Sequence, residues 1–444
     1  MIESREVALE VLNRVLMDGS YSNIILGKLL NKYELSNKDR ALTTEIVYGT
    51  IKYKYTIDKI LSYFIKKDLK ALDKEVLNIL RLTIYQVKYL DKVPEFAAVN
   101  EAVKITKKKN GIGASKFVNG VIRNYLRNKN VDFVNSPKEI DKICFEYSFE
   151  PWMVNMFIKQ YTYNTAISIL KGLNEVPKVS VRVNCLKGNY SSIYNQLEAN
   201  GYSIEEGYVC PQAISISKGK NIEDNKLFVD GYITVQDESA MLVAPSMELL
   251  EGMTVLDLCS APGGKTTHIS ELLNNSGKVM SFDLHENKLN LVKDNANRLG
   301  ITNIVYNKMD STIYDEKYTA IADRVLIDVP CSGFGIIRKK PEIKWNKTSK
   351  ELKDIVKIQR NIMANAQKYV KEHGIILYST CTLNKRENEE NIQWFLQTYP
   401  QFKVVELNYG NEENIVYNEQ GSVTILPNKN MDAFFICKLK KMGR

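Results

Sequence analysis

The chain has 444 residues, 44% of them hydrophobic, and a formal net charge of +9. That length exceeds one ordinary domain and predicts two or three. The basic balance suits a polyanionic partner, and no apolar run approaches the length of a membrane span. Seven cysteines at scattered spacings, without a CxxC pair and with only three histidines, argue against a disulfide framework and against a zinc site. The opening "MIESREVALE" has no apolar block like a signal peptide, so a cytoplasmic protein is expected.

Residues 1–130 read as an all-helical domain. "REVALEVLNRVL" puts Val7, Val11, Leu12 and Val15 on one face at helical spacing. The same period recurs in "EVLNILRLTIYQVKYL". Between Glu101 and Asn130 there are eight Lys or Arg and one acid. Such a run is either a solvated helix face or a surface that contacts phosphates. Residues 131–150, with Pro137, read as a linker. Residues 151–245 form a small α/β module: "KVSVRVNCL" and "YITVQ" alternate like strands, and "SSIYNQLEANG" is a helix ending at Gly201.

From 246 to 444, strands alternate with helices: "MTVLDLC", "GKVMSFDL", "NIVYNK", "ADRVLIDVP" and "GIILYST" are the strands. A long helix is expected from about Lys350 to Glu372. This alternation predicts a parallel sheet with right-handed crossovers, and ligands at the carboxyl ends of its strands. The turn "CSAPGGKTT" after the first strand looks like a P-loop. A P-loop would need glycine at position 259, where Cys259 stands, and Pro262 removes an amide donor. A glycine turn followed, 19 residues beyond Gly264, by Asp283 at the end of the next strand fits a single adenosine unit, the acid accepting from ribose hydroxyls. A plain turn and a surface carboxylate would give the same letters.

Two cysteines follow two further strands: Cys331 after "VLIDVP" and Cys381 after "IILYST". A buried cysteine is usually an inert small hydrophobe. One at a polar strand end before a helix start can ionise and attack, and "TLNKRENEENI" is expected to supply that helix start. The basic stretch "IIRKKPEIKW", with Arg338, Lys339, Lys340, Lys344 and Trp345, follows Cys331 and is expected to hold a substrate strand.

Taken together, "DLCSAPGGKTTHI", "IDVPCSGFGIIRKKPEIKW" and "YSTCTLNKRENEENI" resemble the RNA cytosine-C5 methyltransferase family (the Nop2/Sun/Fmu group). "EFAAVNEAVKITKK" and "KFVNGVIRNYLR" resemble the NusB-like RNA-binding domain of its bacterial members that act on small-subunit (16S) ribosomal RNA. "VRVN" and "GYITVQDESAMLVAP" resemble their intermediate segment. Thr382 stands where relatives often carry Ser. The resemblance implies an all-α NusB-like domain, a small α/β module and a Rossmann-like methyltransferase domain. It implies S-adenosylmethionine held by Cys259, Ser260, Ala261, Pro262, Gly263, Gly264 and Lys265, its ribose by Asp283 and its adenine near Asp310. It implies Asp328 beside methyl donor and flipped base, Cys381 as nucleophile and Cys331 in product release. Asp328, protonated or sharing a proton, would stabilise charge at N3 of the cytosine. Ribosomal RNA is the expected partner, with no metal and no membrane, and the chain is expected to act as a monomer. Among other classes, a non-catalytic antitermination-type module would not need the two cysteines. A DNA cytosine methyltransferase normally takes its nucleophile from a Pro-Cys motif alone.

Overall fold

The computed structural model describes residues 3–443, so the first two residues of the opening read above lie outside it. The chain forms two compact units. One runs up to Asn174 and also takes Ile337–Asn346; the other comprises Glu175–Ile336 and the chain from Lys347 onward. Among the described residues no helix is long and apolar enough to cross a membrane.

The first unit is helical. Its first helix, Ser4–Asp18, stops at Gly19 in the left-handed conformation (φ 72°), which glycine adopts without a Cβ penalty. Val7, Val11, Leu12 and Val15 are all buried in its core. Helix Lys74–Tyr89 is capped by Asp73, whose carboxylate accepts from the Val76 amide. The basic run lies on Glu95–Arg127, which kinks at Gly111 (φ 87°). Residues 131–150 are not a bare linker. They include helix Glu139–Tyr147, and Phe133 and Phe145 pack against the helical core. Thr56 ties down its end, its hydroxyl donating to Phe145 O and its amide donating to Ser148 Oγ at 3.2 Å. Helices Pro151–Gln160 and Tyr163–Gly172 also belong to this unit, so the division between the two compact units falls at 174/175.

The segment 337–346 contributes a short 3-10 turn, Pro341–Lys344. Glu342 accepts from the Ser22 amide (2.9 Å) and hydroxyl (2.8 Å). Trp345 Nε1 donates to Ile51 O at 2.9 Å. Lys344, 1% exposed, donates to Ser148 O (3.1 Å), Lys52 O (3.2 Å) and Asn174 Oδ1 (2.8 Å).

The second unit begins with a four-stranded antiparallel sheet: β1 (Val179–Val183), β2 (Ser203–Glu206), β3 (Ala213–Lys218) and β4 (Ile233–Val235), in the order β2-β3-β1-β4. A second sheet of nine strands follows. Its parallel part uses β5 (Thr254–Asp257), β6 (Lys278–Asp283), β7 (Ile304–Lys308), β8 (Ala322–Asp328) and β9 (Val370–Thr380), in the order β9-β8-β5-β6-β7. β10 (Phe402–Val405), β11 (Ile415–Tyr417), β12 (Val423–Ile425) and β13 (Phe434–Lys441) extend it antiparallel beyond β9. The long helix is Ser349–Tyr369, and β9 takes over at Val370. Buried apolar runs such as Val325, Leu326 and Ile327 are what a strand covered on both faces requires.

Candidate active site

Parallel strands present their carboxyl ends on one edge, and the predicted residues of the catalytic unit sit there. β5 ends at Asp257, and the turn that follows leads into helix Gly264–Leu272. Gly263 has φ 104°, and a Cβ on it would come within 3.0 Å of Val292; only glycine fits the turn there. Ser260 anchors the turn, its amide and hydroxyl both donating to Phe282 O at 2.9 Å.

Two adjoining cavities open beside this turn. One, of 440 Å³, is lined by Cys259, Asp283 and Asp310 with apolar walls that include Met309, Ile358 and Ile362. Asp283 accepts from the His285 amide at 2.9 Å, and Asp310 from the Thr312 hydroxyl at 2.7 Å. The other, of 180 Å³, is lined by Gln236, Asp257, Gly264, Lys265 and Asp328, and Cys259 borders it too. Apolar walls with carboxylates at the edge suit a nucleoside: base faces against hydrocarbon, hydroxyls toward acids. The Cys259 thiol is pushed well above its ordinary value by burial and by the neighbouring Asp257 and Asp328 charges.

β8 and β9 pair in register, Asp328 opposite Ser379. That register brings Cys331 and Cys381 together, Sγ to Sγ at 3.3 Å. The hydrogen bond with Cys381, together with burial, holds the Cys331 thiol well above its ordinary value. Asp328 accepts from Ser379 Oγ (2.7 Å) and from Lys265 Nζ (2.8 Å). Each carboxylate oxygen of Asp328 thus accepts one side-chain hydrogen bond, one from the Lys265 ammonium. Burial works against the Lys265 charge, but the Asp328 carboxylate outweighs it and the Cys381 side chain adds to the effect, so the ammonium is held above its usual range.

The helix expected to begin near Cys381 begins at Glu389. Residues between are a buried loop organised by Glu387, which is 0% exposed. Its carboxylate accepts from the Ser332 amide (2.8 Å) and hydroxyl (2.6 Å), Asn384 Nδ2 (2.9 Å) and Gln359 Nε2 (3.1 Å). Ser332 Oγ also lies 2.7 Å from Thr382 Oγ1. Lys265 interacts electrostatically with Cys381, whereas the helix terminus lies at Glu389. Sequence reasoning assigned Lys265 to the turn alone and passed over Ser379 and Glu387. The signal for Glu387 was an acid within the "NKREN" stretch, which reads as surface until the fold buries it.

The substrate-strand residues fare differently. Lys344 is corrected: its amine is spent on carbonyls inside the helical unit, its charge lies 3.6 Å over the Phe149 ring, and burial holds its pKa well below the usual lysine value. Arg338 is buried as well (6% exposed). Lys339 and Lys340 are partly exposed, Lys340 lying over the Tyr21 ring at 5.5 Å. Trp345 packs on the helical core. In the basic run, Lys104, Lys108 and Lys109 pair with Glu3 (2.6 Å), Glu6 (2.7 Å) and Glu75 (3.1 Å), and Lys129 pairs with Glu95. Lys107 and Arg123 line a 670 Å³ surface hollow with Lys104 and Lys108.

Three family models match the chain: the 16S rRNA methyltransferase RsmB/F model over residues 244–440, the NusB family over 2–127, and the RsmF/B-like ferredoxin-like domain over 149–223. The chain is 37% identical, over 99% of both lengths, to a probable ribosomal RNA small subunit methyltransferase B of Bacillus subtilis. It is 31% identical, over 89% of itself and 91% of the relative, to the ribosomal RNA small subunit methyltransferase B of Proteus mirabilis. A crystal structure of a methyltransferase homologue from Pyrococcus horikoshii superposes with a TM-score of 0.62 at 25% identity, covering 69% of this chain and 100% of that one. With a NusB domain, a ferredoxin-like module and the two-cysteine methyltransferase domain in one chain, the protein belongs to the ribosomal RNA small-subunit methyltransferase B family.

Proposed function

We propose that the protein is a cytoplasmic enzyme that methylates carbon-5 of a cytidine in 16S ribosomal RNA, using S-adenosylmethionine and a covalent bond between Cys381 and the base. The observation that carries this reading is the pair of thiols 3.3 Å apart beside the Lys265–Asp328 ion pair. Asp283 and Asp310 would hold the nucleoside end of the cofactor in the larger cavity. S-adenosylmethionine supplies an electrophilic methyl group.

Carbon-5 of cytosine is a poor nucleophile. The Cys381 sulfur adds at carbon-6, forming a C–S bond and pushing electron density toward carbon-5. The Lys265 ammonium, oriented by Asp328, meets the charge that builds at N3. After methyl transfer, carbon-5 gives its proton to solvent water and the C–S bond breaks, the C–H electron pair restoring the aromatic ring and the C–S pair returning to sulfur. Cys331, adjacent to the adduct, assists that breakdown. A covalent adduct splits one hard step into two easier ones. The base must leave its stack, at a cost of roughly a few kcal/mol. Lys339, Lys340 and the Lys107–Arg123 hollow are proposed as phosphate contacts.

Bisulfite sequencing of 16S ribosomal RNA from cells with and without the gene tests the reading. One cytidine protected from conversion in the presence of the gene, and converted in its absence, is the expected result. An unchanged pattern contradicts it.

A further inference from the structure

Arg182, on β1, is fully buried. Its guanidinium pairs with Glu271 (2.7 Å) and donates to Gly264 O (2.9 Å), to Thr267 Oγ1 (3.2 Å) and to Gln236 Oε1. Arginine has donors only, so it fixes the Gln236 amide one way round, with oxygen toward Arg182 and nitrogen away. Gln236 is 8% exposed, and its Nε2 is a buried donor without a partner among the described residues. Such a group in a folded protein calls for a ligand or water. It lies beside the glycine turn: a Cβ on Gly264 would sit 3.8 Å from Nε2. Gln236 lines the 180 Å³ cavity.

We infer that Gln236 binds the amino-acid end of S-adenosylmethionine, its Nε2 donating to the α-carboxylate. The inference rests on the cofactor reading above and adds a residue from outside the methyltransferase turn. The cavity's chemistry matches a zwitterion. The Gly264–Leu272 helix starts at its wall, and its first amides favour an anion; Gln236 adds a donor on that side. Asp328, at the cavity wall, offers acceptor oxygens to an ammonium. A neutral cytosine would call for no such pairing, and neither Cys331 nor Cys381 is among the residues lining this cavity. Cys259 borders both cavities, so one ligand can extend from the nucleoside pocket into this one.

Titration calorimetry with two probes decides the matter. S-adenosylhomocysteine carries the α-amino-carboxylate, whereas 5′-methylthioadenosine ends before it. Gln236→Glu keeps an acceptor for Arg182 but loses the donor and adds charge; Gln236→Leu removes the amide at similar volume. Both variants should bind S-adenosylhomocysteine at least about ten-fold more weakly and 5′-methylthioadenosine as wild type does, which also shows that the pocket is folded. Equal losses for both probes, no loss for either, or a loss confined to RNA affinity would each overturn the assignment. Wild-type protein that binds neither probe would overturn the cofactor reading and this inference with it.

Discussion

Asp257 ends β5 with its side chain almost wholly buried (1% exposed). Its oxygen accepts from Thr266 Oγ1 at 2.7 Å. Burial first, and the Asp328 charge next, push its pKa from 3.8 up to about 7. The native state therefore favours the neutral acid. Stability from this preference is fully present below the unfolded value and is lost as pH rises through about 7. Asp257→Asn removes that dependence. In thermal denaturation, the variant should gain on wild type between pH 5 and pH 8, by on the order of a few kcal/mol at the upper end. A difference that stays constant across this range would mean that Asp257 is already ionised in the fold. The neighbouring Lys265 illustrates what a one-dimensional reading omits. Its place in "GGKTT" suggests a role in the turn, while its partner Asp328 stands 63 positions along and is reached only through the β5–β8 pairing.

At the level of elements, periodicity revealed most of the fold. The first helix, the small-module strands β1 and β4, and β5 to β9 all stand where apolar patterning puts them. The helix after Cys381 starts later because Glu387 draws its own loop inward, a long-range effect that no local pattern carries. β10, β11 and β12 were not foreseen, each being only three or four residues long, and neither was β13, of eight. Charge was the least legible feature. The basic run from Glu101 to Asn130 counts one acid in its own sequence, but Glu3, Glu6 and Glu75 reach it from elsewhere in the chain. Lys344, which reads as a substrate contact, is an internal hydrogen-bond donor. These assignments separate cleanly in one experiment. Lys344→Ala leaves buried carbonyls without a donor and should cost about 2–4 kcal/mol in stability, while the salt dependence of RNA binding stays as in wild type. Lys107→Glu with Arg123→Glu should leave the thermal midpoint nearly unchanged, weaken RNA binding and flatten its slope against log salt. If the Lys344 variant alone changes that slope, its placement as an internal residue is wrong.

For the molecule as a whole, the order of domains was legible: helical, small α/β, then parallel sheet. The division into two compact units was not, because the helices up to Asn174 and the ten-residue stretch from Ile337 join the first unit through tertiary contacts. The functional assignment meanwhile converges on two side chains set by neighbouring strands. Its central claim is that Cys381 bonds to the base and Cys331 acts only after methyl transfer. Denaturing gel electrophoresis after incubation with 16S ribosomal RNA and S-adenosylmethionine tests it directly. Cys331→Ala should give a slow, nuclease-sensitive band of protein joined to RNA, and Cys381→Ala should give neither that band nor methylated product. The reverse pattern would exchange the two roles, and methylation by both variants would contradict the thiol mechanism itself.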